Sequence, residues 1–533
     1  MTTKKNLFSL VFILLNINTF AQISFGQPEL INNQWQFYLG DNPTEKTRWQ
    51  AVDLPHDWSV RESLSPSLAS CQGFLPCGIG WYRKTLFVPQ DRQNEKLYLY
   101  FEGVYNRSEV FVNGQSVGSR PNGYISFAYD ITPFVRFGKE NEISVRVDHS
   151  QSADSRWYTG SGIYRNVWLV RANPVHIAQW GVFAFGDDFK ALKVIVEIAN
   201  ESSQDASLTI INELFSPNGN SVAKNSRKIS VETLHATSLQ TQLPIKNPQL
   251  WDLEHPNLYT LKTTLLQNGK VIDETATTTA FRSLIFDAGK GFLLNGKPLK
   301  LKGGCIHHDN GLLGATSIDR AEEKKVELLK SNGFNAVRCA HNPPAEKFLE
   351  ACDRLGLLVI DEAFDQWQKM KNPQDYHRFF DKWHEKDLAS MVRRDRNHPS
   401  VIMWSIGNEI QERADSAGVE IAKKLKAIIR QYDTTRPITA AINDFWDNPN
   451  LKWKDSERTF LSLDVCGYNY MWREYENDLK SFPNRIIYGS ESTAMERAAN
   501  WDLVEKHPSV IGDFIWTAID YLGESGIGHA LEV

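Results

Sequence analysis

Short apolar runs alternating with polar residues at every second position dominate the first half of the chain, the period of a strand with one buried face. The run at 97–104 is followed by EVFVNGQSVG at 109–118, where Asn113-Gly114 predicts a tight hairpin, and by 142–149, where Ile143, Val145 and Val147 alternate. These elements predict an antiparallel β-sandwich. A second β-rich stretch reaches to about 285, with Leu192, Val194, Val196 and Ile198 alternating and Asn268-Gly269 marking another hairpin. Its length of roughly 110 residues suits an immunoglobulin-like sandwich.

After Asn295-Gly296 the rhythm changes to apolar strands separated by helices. Strands are predicted at 299–305, 334–339, 357–362, 401–409, 437–441, 463–470, 485–491 and 513–517. Between them Phe348, Leu349, Cys352 and Leu355 share one helical face ahead of Gly356, and Val419, Ala422, Leu425 and Ile429 share another. Eight such alternations predict a parallel (β/α)8 barrel, whose chemistry sits at the C-terminal ends of its strands. Polar residues gather there: His307, His308 and Asp309 after the first strand, Arg338 and His341 after the second, and Asp361 and Glu362 at the third. Asn408 and Glu409 end the fourth, Asn469 and Tyr470 the sixth, Glu491 the seventh and Trp516 the eighth.

The remaining sequence narrows the class of function. At 533 residues the chain is too long for one core. Apolar and charged fractions of 41% and 23% argue against disorder and against a membrane bundle, and a net charge of −5 without a long basic run offers nothing to nucleic acid. The 16 Trp supply flat faces suited to sugars, although most such residues fill cores. Lys4 and Lys5, an apolar run over 7–15 and Ala21 form a signal-peptide pattern, too short to span a bilayer, with no cysteine nearby to carry a lipid. A secreted, periplasmic protein without a membrane anchor is expected. Export permits disulfides, and Cys71 and Cys77 are close enough in sequence to form one. Cys305, Cys339, Cys352 and Cys466 sit in apolar segments without metal-site spacing.

Glycoside hydrolysis needs a proton donor for the leaving oxygen and a carboxylate facing the anomeric carbon. Glu409, at the end of an apolar strand beside Asn408 and near Trp404, would be partly desolvated, which raises a carboxyl pKa and suits a donor. Glu491 has the same placement three strands later. Each alone reads equally well as a helix-capping glutamate; two on one barrel mouth favour chemistry.

At these residues the chain resembles glycoside hydrolase family 2. LPHDW at 54–58, GIGWYRK at 78–84 and SRWYTGSGIYRNVWL at 155–169 are similar to that family's jelly-roll sugar-binding domain, and WDLEHPNLYTL at 251–261 to the end of its immunoglobulin-like domain. KGGCIHHDNG, NAVRCAHNP, WSIGNE, IYGSES and GDFIWTAIDYLGESGIGH are similar to its active-site segments. The resemblance implies Glu409 as acid/base, Glu491 as nucleophile and Asn408 as a ligand of the sugar 2-hydroxyl. His308 and His341 would contact the sugar ring and Arg338 would keep the nucleophile ionised. Tyr470, or alternatively Tyr468, would donate to the nucleophile, and Trp516 would floor the subsite.

The implied architecture is a leader over 1–21, a jelly-roll β-sandwich over 22–172, an immunoglobulin-like β-sandwich over 173–285 and a C-terminal (β/α)8 TIM barrel over 286–533. The family's last barrel helix would lie beyond Val533, so a missing final helix is expected. The implied activity is that of a retaining exo-β-glycosidase, first a β-galactosidase, alternatively a β-glucuronidase or another β-exoglycosidase, and last an inactive carbohydrate-binding protein. The Asn-x-Lys element that β-glucuronidases use to grip a carboxylate is not evident. Asp361-Glu362-Ala363 leads to Gln366-Trp367-Gln368 where the best-known β-galactosidases carry Glu-x-His for magnesium, so no required metal and no cofactor are expected. The partner is a carbohydrate substrate, and a homo-oligomer is compatible with the sequence.

Overall fold

The computed structural model describes residues 23–234 and 236–523, so the expected leader lies outside the described residues. The first unit packs a four-stranded antiparallel sheet against a six-stranded one. Gln27–Leu30, Val167–Ala172, Lys96–Phe101 and Phe127–Asp130 form the smaller sheet. Gly78–Val88 and Lys139–His149 run through the centre of the larger. Ile143, Val145 and Val147 are fully buried between the sheets, as the alternation predicts. Asn113 and Gly114 take φ values of 51° and 79°, the left-handed pair of a type I′ turn joining Ser108–Val112 to Gln115–Arg120. In the second sandwich Val175–Phe185, Ala191–Asn200 and Ala236–Pro244 face a four-stranded sheet, with Leu192, Val194, Val196 and Ile198 inside.

The barrel closes with eight parallel strands: β1 (Leu301–Ile306), β2 (Ala336–Cys339), β3 (Leu358–Glu362), β4 (Val401–Asn408), β5 (Ile438–Ile442), β6 (Val465–Asn469), β7 (Ile487–Thr493) and β8 (Val510–Trp516). Leu301 of β1 pairs with Gly512 of β8 to complete the ring. Phe292 and Leu294, from a short hairpin ahead of the barrel, join Leu301, Leu358, Ile402 and Met403 in one buried cluster at its floor. The outer layer holds α1 (Asp319–Ser331), α2 (Glu346–Leu355), α3 (His377–Asp395), α4 (Ser416–Tyr432), α5 (Glu457–Phe460), α6 (Tyr475–Ser481) and α7 (Arg497–Lys506). Among the described residues no helix follows β8. Instead the chain turns back over the mouth, where Leu522 O accepts from Tyr158 N at 3.2 Å. No described helix is long and apolar enough to cross a membrane.

Polar contacts fix both sandwiches to the barrel. Asp57 accepts from Ala315 N at 2.9 Å, Arg165 donates to Pro343 O at 2.9 Å, and Arg120 pairs with Asp387 at 2.7 Å. From the second sandwich, Trp251 Nε1 donates to Asp353 O at 2.8 Å, and Asn397 bridges Ala184 N and Val182 O. Cys71 and Cys77 are both free thiols, so the disulfide that their closeness in sequence permits is not formed.

Gly356 ends α2 in the left-handed region at φ 71°, and a Cβ there would stand 2.5 Å from Leu253 O of the preceding unit. Gly356→Ala therefore combines left-handed strain of about 1–2 kcal/mol with a clash against backbone, and a lowered thermal unfolding midpoint is expected by calorimetry. An unchanged midpoint contradicts this account of the junction.

Candidate active site

Arg338 of β2 lies at the centre of the barrel mouth with no exposed surface. Its Nε and Nη2 donate to Glu362 of β3 at 3.0 and 2.7 Å, and Nη1 donates to Glu491 of β7 at 2.8 Å. Nη2 also reaches Asn408 Oδ1 at 3.0 Å. Burial pushes the Glu362 carboxyl up, but Arg338 and His341 outweigh it and hold the group below its ordinary range. His341 Nδ1–H donates to Glu362 at 2.7 Å, leaving Nε2 4.0 Å from Glu491.

The two glutamates stand at the ends of one hydrogen-bond chain. Asn469 at the end of β6 donates to Glu409 Oε1 at 3.1 Å and to Asn408 Oδ1 at 3.0 Å, which links Glu409 through Asn408 to Arg338 and so to Glu491. Their side chains are 13% and 4% exposed, so Glu409 meets solvent more than Glu491 does. Burial raises the Glu491 pKa, Arg338 opposes the rise, and the nearby Glu409 carboxylate adds to it. Tyr470 N donates to Glu491 O at 2.7 Å, and burial, with the Glu491 carboxylate nearby, drives the Tyr470 phenol pKa far up. Glu409 and Tyr470 have φ values of 43° and 60°, left-handed backbone at two strand ends.

Rings enclose the pocket. Trp516 stacks on His341 at 5.3 Å with an 8° interplanar angle, and Trp157 of the first sandwich meets His341 edge-on at 5.3 Å. His307 stacks on Trp157 at 5.0 Å and touches Tyr521 at 4.2 Å.

Outside the acid pair lies a triangle of charge. Asp365, in the loop after β3, accepts from Lys371 Nζ at 2.6 Å, Asn408 Nδ2 at 2.9 Å and Arg156 Nη2 at 3.1 Å. Arg156 Nη1 stands 3.7 Å from Glu409. Burial would raise the Asp365 pKa, but Arg156 and Lys371 hold it well below the usual carboxylate range, while burial lowers that of Lys371. Sequence reasoning assigned none of Arg156, Trp157, Asp365 and Lys371 to the site. Arg156 and Trp157 stand in SRWYTG, a motif read only as sandwich; Asp365 and Lys371 belong to a loop.

Arg338, His341, Asn408, Glu409, Tyr470, Glu491 and Trp516 thus meet in one mouth, and four expectations are redirected. His308 points into the first sandwich, where Nε2 meets Thr159 O at 3.1 Å between Tyr124 and Tyr164, and burial lowers its pKa to about 3; His307 holds the place beside His341. Tyr468 bonds Asp478 at 2.6 Å in the helix layer, away from Glu491. Trp404 donates to Asp433 at 2.8 Å, also outward, and does not desolvate Glu409. Asp361 turns toward Asp395 of α3. Trp367 donates to Ile406 O at 2.7 Å and Gln368 to Asp381 at 2.6 Å.

Three family models match the chain in order: the glycosyl hydrolases family 2 sugar binding domain over 29–173, the glycosyl hydrolases family 2 domain over 175–282, and the glycosyl hydrolases family 2 TIM barrel domain over 287–525. A β-galactosidase of Bacteroides ovatus is 37% identical over 92% of this chain and 68% of its own length. A β-glucuronidase of Bacteroides fragilis is 28% identical over 99% of this chain and 80% of its own. The crystal structure of a family 2 member from Bacteroides cellulosilyticus superposes with a TM-score of 0.89 at 42% identity, covering 95% of this chain and 67% of that one.

Removing the guanidinium leaves Glu362 and Glu491 buried with only the His341 ring beside them. Arg338→Met is expected to lose about 3–5 kcal/mol of stability at pH 7 in urea denaturation. In the native protein Glu362 has a lowered pKa, so its contribution is present above the ordinary value of about 4.3 and lost as pH falls; in the variant both carboxyls rise and are stabilised by protonation. The deficit should therefore shrink between pH 7 and pH 4.5. A deficit independent of pH refutes this charge assignment.

Proposed function

From the premise that the chain belongs to glycosyl hydrolase family 2, we propose that it hydrolyses terminal β-glycosides with retention of configuration, through Glu409 as acid/base and Glu491 as nucleophile. The observation that carries the reading is the linkage of both carboxylates through Asn469, Asn408 and Arg338 in one ring-lined pocket.

Glu491 suits attack on the anomeric carbon. It is dry, anchored by Arg338 and met by Tyr470, so its position is fixed before substrate arrives. Glu409 suits proton transfer to the leaving oxygen and from the attacking water: at 13% it is more open to solvent than Glu491. Asn408, held by Arg338, Asp365 and Asn469, is placed to bond a sugar hydroxyl as charge develops. Trp516 and Trp157 supply apolar faces for the ring.

A galactoside is the substrate this charge arrangement favours. Arg338, Arg156 and Lys371 are already opposed by Glu362, Glu491, Asp365 and Glu409, so a sugar carboxylate would enter a pocket without surplus positive charge. Arg156, brought in from the first sandwich, is the feature that favours a glucuronide instead, in keeping with the β-glucuronidase relative.

Kinetics on nitrophenyl β-galactoside, β-glucuronide, β-mannoside and β-glucoside test the substrate, with fastest turnover expected on the galactoside; hydrolysis of the glucuronide alone excludes it. Glu491→Ala should lower kcat by at least about 10⁴-fold, with azide restoring turnover and yielding the inverted glycosyl azide. A Glu491→Ala enzyme that works without azide removes the nucleophile assignment.

A further inference from the structure

A cavity of about 280 Å³ lies at the far end of the barrel from the mouth, in the seam between the second sandwich and the barrel floor. The chain leaving the sandwich supplies Arg282 and Ser283 to one wall, and the barrel supplies Arg396 ahead of β4 and Arg436 ahead of β5 to the other. Asp187 and Ile285 at its edge are exposed, so it opens to solvent. We infer that this cavity is a binding site for a small tetrahedral oxyanion, sulfate or phosphate, which ties the second sandwich to the barrel floor. The inference stands apart from the glycosidase reading, since no residue of the mouth borders the cavity.

The first observation is an excess of positive charge. Arg282 Nη2 and Arg436 Nε donate to the same carbonyl, Val401 O, at 2.8 and 2.7 Å, which holds two guanidinium groups side by side. Like charges at that range repel unless an anion stands between them. The carboxylates nearby are committed elsewhere: Asp433 accepts from Arg436 at 2.7 Å, Asp353 bonds His398 at 2.6 Å, and Asp187 pairs with Lys193 at 2.7 Å. Glu197 meets Arg393 at 2.7 Å and Arg396 only at 3.4 Å. Arg282 itself makes no ion pair among the described residues. Burial pushes its pKa down to about 9, and Arg436 adds to the shift; at neutral pH the group is charged and unopposed.

The second observation is a set of free donors. Arg282 Nε and Nη1 meet no acceptor among the described residues and are not sealed from solvent, and the same holds for Ser283 Oγ. A guanidinium with free N–H groups beside a hydroxyl offers the charge-assisted bonds that an oxyanion takes. The other polar side chains of the wall are occupied, Asn397 by Ala184 N and Val182 O and Thr279 by Ala184 O. Size sets the class of ligand. At about 30 Å³ per liquid water, the space admits an oxyanion with part of its hydration, and it falls short of the range for drug-sized molecules.

The test titrates the full chain at pH 7 with sulfate and with phosphate in a calorimeter, ionic strength being held by sodium chloride. A saturable one-site isotherm in the low-millimolar range is expected. Arg282→Gln removes the charge and should weaken both anions about tenfold or more. Ser283→Asp keeps the guanidinium and sets a carboxylate beside it, so it should abolish binding and raise the thermal unfolding midpoint in chloride above that of the unaltered protein. Sulfate at high concentration strengthens any folded state, so midpoints are compared below about 20 mM, where stabilisation by the anion should be confined to the unaltered protein. Heat without saturation, or binding that survives both substitutions, overturns the site. If Arg282→Gln does not fold, Ser283→Asp decides alone.

Discussion

A guanidinium sealed from water is the constraint on which the rest of the barrel mouth depends. Arg338 has no exposed surface, and an ion so buried is tolerable only if fully paired. Pairing requires β3 to deliver Glu362, β7 to deliver Glu491 and β4 to deliver Asn408, all within hydrogen-bond reach of one planar group. Four strands are thereby held in a relation that apolar packing alone would not specify, because Leu, Ile and Val tolerate small slips that a fork of N–H donors does not. The position of the Glu491 carboxylate is thus a by-product of satisfying a buried cation.

The second carboxylate is governed differently. Glu409 takes one hydrogen bond from Asn469, and its nearest cation, Arg156, belongs to another structural unit. One wall of the pocket is likewise Trp157 of the first sandwich. The barrel therefore does not complete its own mouth: the charge beside Glu409 and part of the ring lining arrive across an interface fixed by Asp57, Arg165 and Arg120.

Much of this was legible in the sequence, for identifiable reasons. Alternation exposed the sandwich strands because their outer faces are wet, and Asn-Gly pairs exposed the hairpins because two successive left-handed residues are required there. Barrel strands are apolar on both faces, so which residue points inward is not written in their pattern. The pattern does not tell His308 from His307, which stands beside His341, nor does it show that Asp361 and Trp404 turn away from the mouth. Register shifts between Val359 and Ile360 and between Ser405 and Asn408 further break any simple count along β3 and β4. Arg156, Asp365 and Lys371 were missed because their meeting depends on tertiary structure, 209 residues separating the first two.

Glu409 and Tyr470 show how the fold turns such strand ends to use. Both follow an asparagine that closes a strand, and both adopt left-handed backbone, unfavourable for a residue bearing a Cβ. The strain persists because pairing resumes at once on the neighbouring strand: Glu409 N donates to Ala441 O at 2.7 Å, and Tyr470 N donates to Glu491 O at 2.7 Å. A regular strand would send residues after Asn408 and Asn469 to the opposite face, toward the helices. The left-handed step instead keeps each of the two side chains on the pocket side, beside the amide that precedes it. Asn408 and Glu409 then share one partner, Asn469, so the unfavourable torsions are what allow consecutive residues to meet in one place.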